Sequence, residues 1–202
     1  ADLIYVNRCE AGCSITPGAD DAVNHVSSIP SNASTLSGFS HGDAVFAAMV
    51  GCVRKAWAPY DVEVTTTDPG AQPRREIMVA GSPQQVGMPD GVLGVAPMST
   101  EPRDNAIVFA FADEIGPDPD ALCWIAAQEA AHLYALDHAY HCEDLMSYLT
   151  DCGVKSFTDE EVACGEYEPR TCQSGAATQN SAALLSVAPG LGDRILLDDF
   201  ER

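Results

Sequence analysis

Residues 128–149, from Gln128 to Leu149, read QEAAHLYALDHAYHCEDLMSYL. Gln128 precedes His132 by four residues and Glu129 precedes it by three, so on a helix all three side chains share one face. His138 follows His132 by six, too far along a straight helix to meet it, and a sharp turn after the helix would bring it back. An amide, a carboxylate and an imidazole on one helical face, with a second imidazole returned by a turn, have the layout of a metal site with a general base beside the metal. Three of the chain's five histidines (His132, His138 and His141) fall within ten residues, which a buried amphipathic helix carrying incidental histidines does not require. His141 lies past His138 and reads as a surface residue.

The stretch resembles the metzincin metallopeptidases, whose long zinc motif H-E-x-x-H-x-x-G-x-x-H is followed by a Met-turn. Glu129, His132 and His138 match it, and Leu145-Met146-Ser147-Tyr148 looks like the Met-turn. Gln128 stands where the motif has its first His, and Ala135 where it has Gly. The resemblance implies zinc held by Gln128, His132 and His138. It implies Glu129 as the base that takes a proton from a metal-activated water and hands it to the leaving amine. Met146 would form an apolar floor under the metal, and Tyr148 would ligate zinc or steady the oxyanion. As bare residues, Met146 and Tyr148 read equally as core side chains.

The departures carry chemical weight. An amide oxygen suits hard cations better than zinc. Losing even a partner of a ligand commonly costs roughly 10–100-fold in metal affinity or activity. A non-Gly residue in a left-handed turn at 135 costs about 1 kcal/mol. Gln128 leaves three accounts open: a third ligand in a weakened working site, the mark of a natural pseudo-peptidase, or an engineered change. The implied function is a secreted zinc-dependent endopeptidase. The alternative is a catalytically inactive pseudo-peptidase that grips a peptide or protein.

At 202 residues the chain suits one catalytic-type domain, with an N-terminal lobe at 1–138 carrying the site helix and a C-terminal lobe at 139–202 carrying the Met-turn. A hydrophobic fraction of 46% excludes a disordered tail. No run approaches the ~20 apolar residues of a membrane span. Eight cysteines, even in number and irregularly spaced without C-x-x-C, point to an oxidising compartment and up to four disulfides. That favours a secreted protein whose leader has been removed, since no signal sequence stands at Ala1. The local pairing candidates are Cys9 with Cys13, Cys142 with Cys152 and Cys164 with Cys172. Thirty acidic against ten basic residues give a net charge of −20, which excludes nucleic acid and anionic membranes as partners. The expected partner is a protein or peptide substrate, met by a monomer. Asp20-Asp21, and Asp113-Glu114 with Asp118 and Asp120, are candidates for Ca²⁺ or simply a solvated acidic surface, and neither matches an EF-hand loop.

In order, Leu3–Asn7 reads as a strand and Cys9–Ser40 as a long irregular loop containing the sequon Asn32-Ala33-Ser34. Phe46, Val50, Val53 and Trp57 form one apolar stripe, predicting a helix over Gly42–Ala58 that Pro59 ends. Strands are predicted at Asp61–Thr67, Glu76–Ala80, Gly91–Ala96 (an edge) and Ala106–Phe111 (a continuous apolar run). Asp118 caps the site helix, with Pro119 at its first position, and that helix is expected to run to about Ala135. Thr158–Tyr167 reads as a short helix and Gly175–Asn180 as a loop; Ser181–Arg202 has no assignment. The fold class is α+β, and the resemblance adds a twisted mixed sheet with two long helices in the N-terminal lobe and a small irregular C-terminal lobe. It also places substrate along the edge strand, at Gly91, Val92, Leu93, Gly94 and Val95, where β-augmentation would hold it.

Overall fold

The computed structural model describes residues 1–189. The fold is α+β. Its strands are β1 (Asp2–Asn7), β2 (Cys13–Pro17), β3 (Val26–Ser27), β4 (Ser34–Leu36), β5 (Val62–Thr65), β6 (Arg75–Val79), β7 (Gly94–Val95) and β8 (Ala106–Ala110). Its helices are α1 (Asp43–Trp57), the single turn α2 (Ala112–Ile115), α3 (Pro119–His132) and α4 (Ser181–Val187). The main sheet has five strands in the order β5-β1-β6-β8-β7. Its first four strands run parallel, and β7 lies antiparallel on β8 as an edge.

Period-two alternation sorts the two faces of this sheet. Ile77, Val79, Val108 and Ala110 pack with the apolar faces of α1 and α3. Met78, Ala80, Ile107 and Phe109 face the other way, against Ile15 and Leu36. With both faces covered, β8 has no position that asks for a polar residue, hence its unbroken apolar run. The charged residues of β6 are paired. Arg74 and the buried Glu76 meet at 2.9 Å, and Arg75 bonds Asp2 and Asp104 with its guanidinium 3.9 Å from the Tyr134 ring centroid.

Four differences from the sequence reading have local causes. The Cys9–Ser40 stretch is not merely a loop: β3, β2 and β4 form a small sheet there, with Cys13, Ile15 and Leu36 buried and Ser14 and Thr35 outward. Strands of two to five residues, rich in Ser, Thr and Pro, are too short to show their alternation against that composition. The edge strand is two residues long, because Gly91 takes φ +83° and turns the chain before it. Thr158–Tyr167 is not a helix. Val162 pairs with Gln179 and Cys164 with Arg170 in isolated bridges, and the Cys164–Cys172 disulfide holds the segment extended. The C-terminal helix is α4 instead, capped by Asn180, whose side chain accepts from the Ala183 N–H at 2.9 Å. Residues 190–202 lie outside the described residues.

All eight cysteines are paired. The three local candidates form, and Cys52–Cys123 joins α1 to α3. Trp57, at the end of α1, is fully buried against Tyr134 and Phe157, at centroid distances of 5.2 and 5.1 Å, so the helix layer, the turn after α3 and the C-terminal segment share one core. No helix among the described residues is long and apolar enough to cross a membrane.

Candidate functional site

Helix α3 begins where the Asp118 side chain accepts from the Asp120 N–H, with Pro119 supplying a preset φ. It is buried nearly all round through Ala126, Ala127, Ala130 and Ala131. Such small side chains let it lie close under the sheet, and they leave no apolar stripe to mark its inward face. The helix stops at His132 in a Schellman arrangement: Leu136 N–H reaches the Ala131 carbonyl and Ala135 N–H the His132 carbonyl. Ala135 takes the left-handed conformation at φ +65°, a position glycine usually fills. The helix thus ends three residues before the expected Ala135, and the turn at Ala135 reverses the chain and returns His138.

The two imidazoles meet, with His132 Nε2 3.1 Å from His138 Nε2. Two nitrogens bound at about 2.0–2.1 Å to one tetrahedral zinc stand roughly 3.3 Å apart. The pair therefore fits a shared zinc ion. His132 is buried, and its Nδ1–H donates to the Leu136 carbonyl at 2.7 Å, which leaves Nε2 with its lone pair. Burial, helped by neighbouring His138, depresses its pKa to about 4, so the ring is neutral and fit to ligate at pH 7. Two other groups of converging donors exist among the described residues. In one, Asp137 sits beside Cys164 and Cys172, whose sulfurs are already bonded to each other. In the other, Asp137 and Glu166 converge with His138, but Arg170 occupies both carboxylates. Neither suits a cation as well as the Nε2 pair.

Glu129 is 6% exposed, and burial alone raises its carboxyl to about 8. It packs against the edge strand so tightly that a Cβ on Gly94 would stand 2.6 Å from its Oε1, so only glycine fits there. Gln128, also buried, joins Glu129 in lining a cleft of about 830 Å³. Gly91, Val92, Leu93 and Gly94 line the same cleft, as does Tyr148. Val95 instead packs, with Val92, against the core on the far face of the sheet. His132 and His138 are not in the cleft lining; Tyr148 links them to it, its ring centroid 4.5 Å from that of His138. Burial and then the nearby Glu129 push the Tyr148 phenol up. Met146 is fully buried, and its carbonyl accepts from Ala139 N–H at 3.0 Å. His141 is half-buried, 3.9 Å from Glu160.

The residues that brace this geometry carry no sequence signal. Asp144, fully buried, accepts from Met146 N–H, Thr158 N–H, the Thr158 hydroxyl and the Ser181 hydroxyl, tying residues 144–147 to α4. Asp144→Ala is expected to cost about 3 kcal/mol by chemical denaturation, because it strands those donors in the interior. A loss under about 1 kcal/mol would mean water replaces the carboxylate. Asp137 and Glu166 both pair with Arg170; Asp137 meets Arg170 and Gln179 from 33 and 42 residues away, and Glu166 meets His138 from 28. In the acidic loops, Asp20 pairs with Arg103, Asp21 bonds Asn24 and Asn105, Asp113 bonds Ser40, and Asp118 caps α3. No protein-family model matches the chain, and no curated protein matches it in sequence.

Proposed function

We propose that the protein is a secreted zinc-dependent endopeptidase of the metzincin kind, with a site weakened by Gln128. The observation that carries this reading is the pair of Nε2 atoms 3.1 Å apart, with Glu129 one helical turn from His132 and facing an open cleft. His132 and His138 would supply the two nitrogen ligands and Gln128 an amide oxygen. Zinc, when bound, supplies Lewis acidity toward the scissile carbonyl and the attacking water. Glu129 would take a proton from the attacking water and deliver it to the leaving amine, a role suited to its buried carboxyl, which has no partner among the described residues. Tyr148, whose ring lies against that of His138, donates to the oxyanion. The substrate chain lies in the cleft beside Gly94, whose lack of a side chain brings backbone close to Glu129. Export of the chain is supported by its four disulfides.

Gln128 also favours a second reading, a binding module that holds an extended peptide in the same cleft without cutting it. Zinc affinity and casein cleavage, measured together, separate the two. Gln128→His should raise zinc affinity at least ~10-fold, since imidazole is the better zinc donor, and cleavage should rise with it. A Gln128→His variant that binds zinc tightly and cuts no protein substrate would hand the site to the binding reading. A Gln128→His variant that lowers an activity already present would make the amide a selected ligand.

A further inference from the structure

His138 has two ring nitrogens with different neighbours. Nε2 faces His132 Nε2 at 3.1 Å, and Nδ1 faces Glu166 Oε1 at 2.7 Å. Glu166 is not free to swing away. Arg170 reaches it at 2.7 Å through Nη2 and at 3.2 Å through Nε. The same guanidinium grips both oxygens of Asp137, at 2.7 and 2.8 Å. Asp137 in turn accepts the backbone N–H of His138 and of Gln173, and Gln179 clamps the Asp137 backbone on both sides. The Gly165 N–H bonds the His138 carbonyl, and the Cys164–Cys172 disulfide lies next in the chain. The carboxylate beside Nδ1 is thus held by elements drawn from residues 137 to 179.

We propose that Glu166 is a positioning residue for His138: it keeps Nδ1 protonated and turns the bare Nε2 toward His132. The inference rests on the metal reading above for its purpose, though not for its geometry. In the opposite tautomer His138 Nε2–H would donate to His132 Nε2, an ordinary hydrogen bond at 3.1 Å. Its bare Nδ1 would then point a lone pair at a carboxylate 2.7 Å away, which is repulsive. Glu166 decides between these by accepting only. His132 has its own Nδ1–H committed to the Leu136 carbonyl. Both rings therefore turn lone pairs toward the same point, where a shared cation, a proton or a metal ion, would be held between them.

The tautomer can be read without any metal. Long-range ¹H–¹⁵N spectra of the chelator-treated protein at alkaline pH should show His138 protonated at Nδ1. Glu166→Ala should move that proton to Nε2. Glu166→Gln, whose amide oxygen still accepts from Nδ1–H, should keep it. The zinc dissociation constant should rise roughly 10–100-fold in Glu166→Ala and recover most of that in Glu166→Gln. A native His138 unprotonated at Nδ1, or a tautomer indifferent to Glu166→Ala, would overturn the assignment. A tautomer that switches while zinc affinity stays within twofold would overturn its link to metal. Should the tautomers behave as expected while neither native protein nor Gln128→His binds zinc, the positioning role stands and the peptidase reading falls.

Discussion

Glu129→Gln should lower casein cleavage by roughly 10²–10⁴-fold, the range that loss of a general base produces, while leaving zinc stoichiometry unchanged. The amide has nearly the same shape, so Gly94, which sits against this side chain, is not disturbed. The same substitution should have an opposite effect on stability. In the metal-free protein burial raises the Glu129 carboxyl to about 8. The folded state then holds a proton that the unfolded chain releases near pH 4.5. Its stability is complete below that pH and falls as pH rises through about 8. Glutamine carries no such proton, so Glu129→Gln should be the more stable protein at pH 8 in chelator, by as much as about 4 kcal/mol. Urea titrations at pH 5 and pH 8 check this: the advantage should appear at the higher pH and vanish at the lower. A variant that loses turnover but shows no pH-dependent gain would mean the carboxyl is solvated in the metal-free state. A variant that retains full turnover would remove Glu129 from the chemistry.

The second large effect concerns the covalent frame. Cys52 and Cys123 are 71 residues apart and join α1 to α3, the two helices that cover one face of the main sheet. On the loop-entropy model, opening a ring of that size costs about 4 kcal/mol, against about 2 for the ring closed by Cys9 and Cys13. Cys52→Ala with Cys123→Ala should therefore lower the melting temperature on the order of 10 °C, about twice the shift from removing the Cys9–Cys13 pair. Equal shifts, or the reverse order, would show that local packing, not chain entropy, sets what each bridge contributes. The test also bears on the site, because α3 carries Gln128, Glu129 and His132. Loosening it against α1 should weaken zinc binding even where the fold survives.

Much of this architecture is legible in the sequence wherever a periodic signal is long enough. The stripe Phe46, Val50, Val53 and Trp57 gives α1 to within a residue, and Asp118-Pro119 gives the start of α3. The return of His138 toward His132 is legible as spacing. What spacing does not reveal is how the turn is braced. Asp137, Glu166 and Arg170 meet across the C-terminal segment, and Asp144 reaches Thr158 and Ser181; no local pattern links them. Thr158–Tyr167 reads as a short helix, yet long-range pairing of Val162 with Gln179 overrides it. The small sheet within Cys9–Ser40 is hidden for the opposite reason, its strands being shorter than the window in which alternation can be recognised.

The two-residue edge at Gly94–Val95 limits how any extended chain can be held. So short a ladder offers few free backbone groups, and Gly91 and Pro97 end it on either side. A second copy of the protein finds no template there for strand-to-strand fibril growth, so this sheet edge resists self-association even at high concentration. A bound peptide likewise gains little from main-chain pairing. On the peptidase or peptide-binding reading, retention would come from side chains entering the cleft, which would make recognition sensitive to residue identity and tolerant of backbone register.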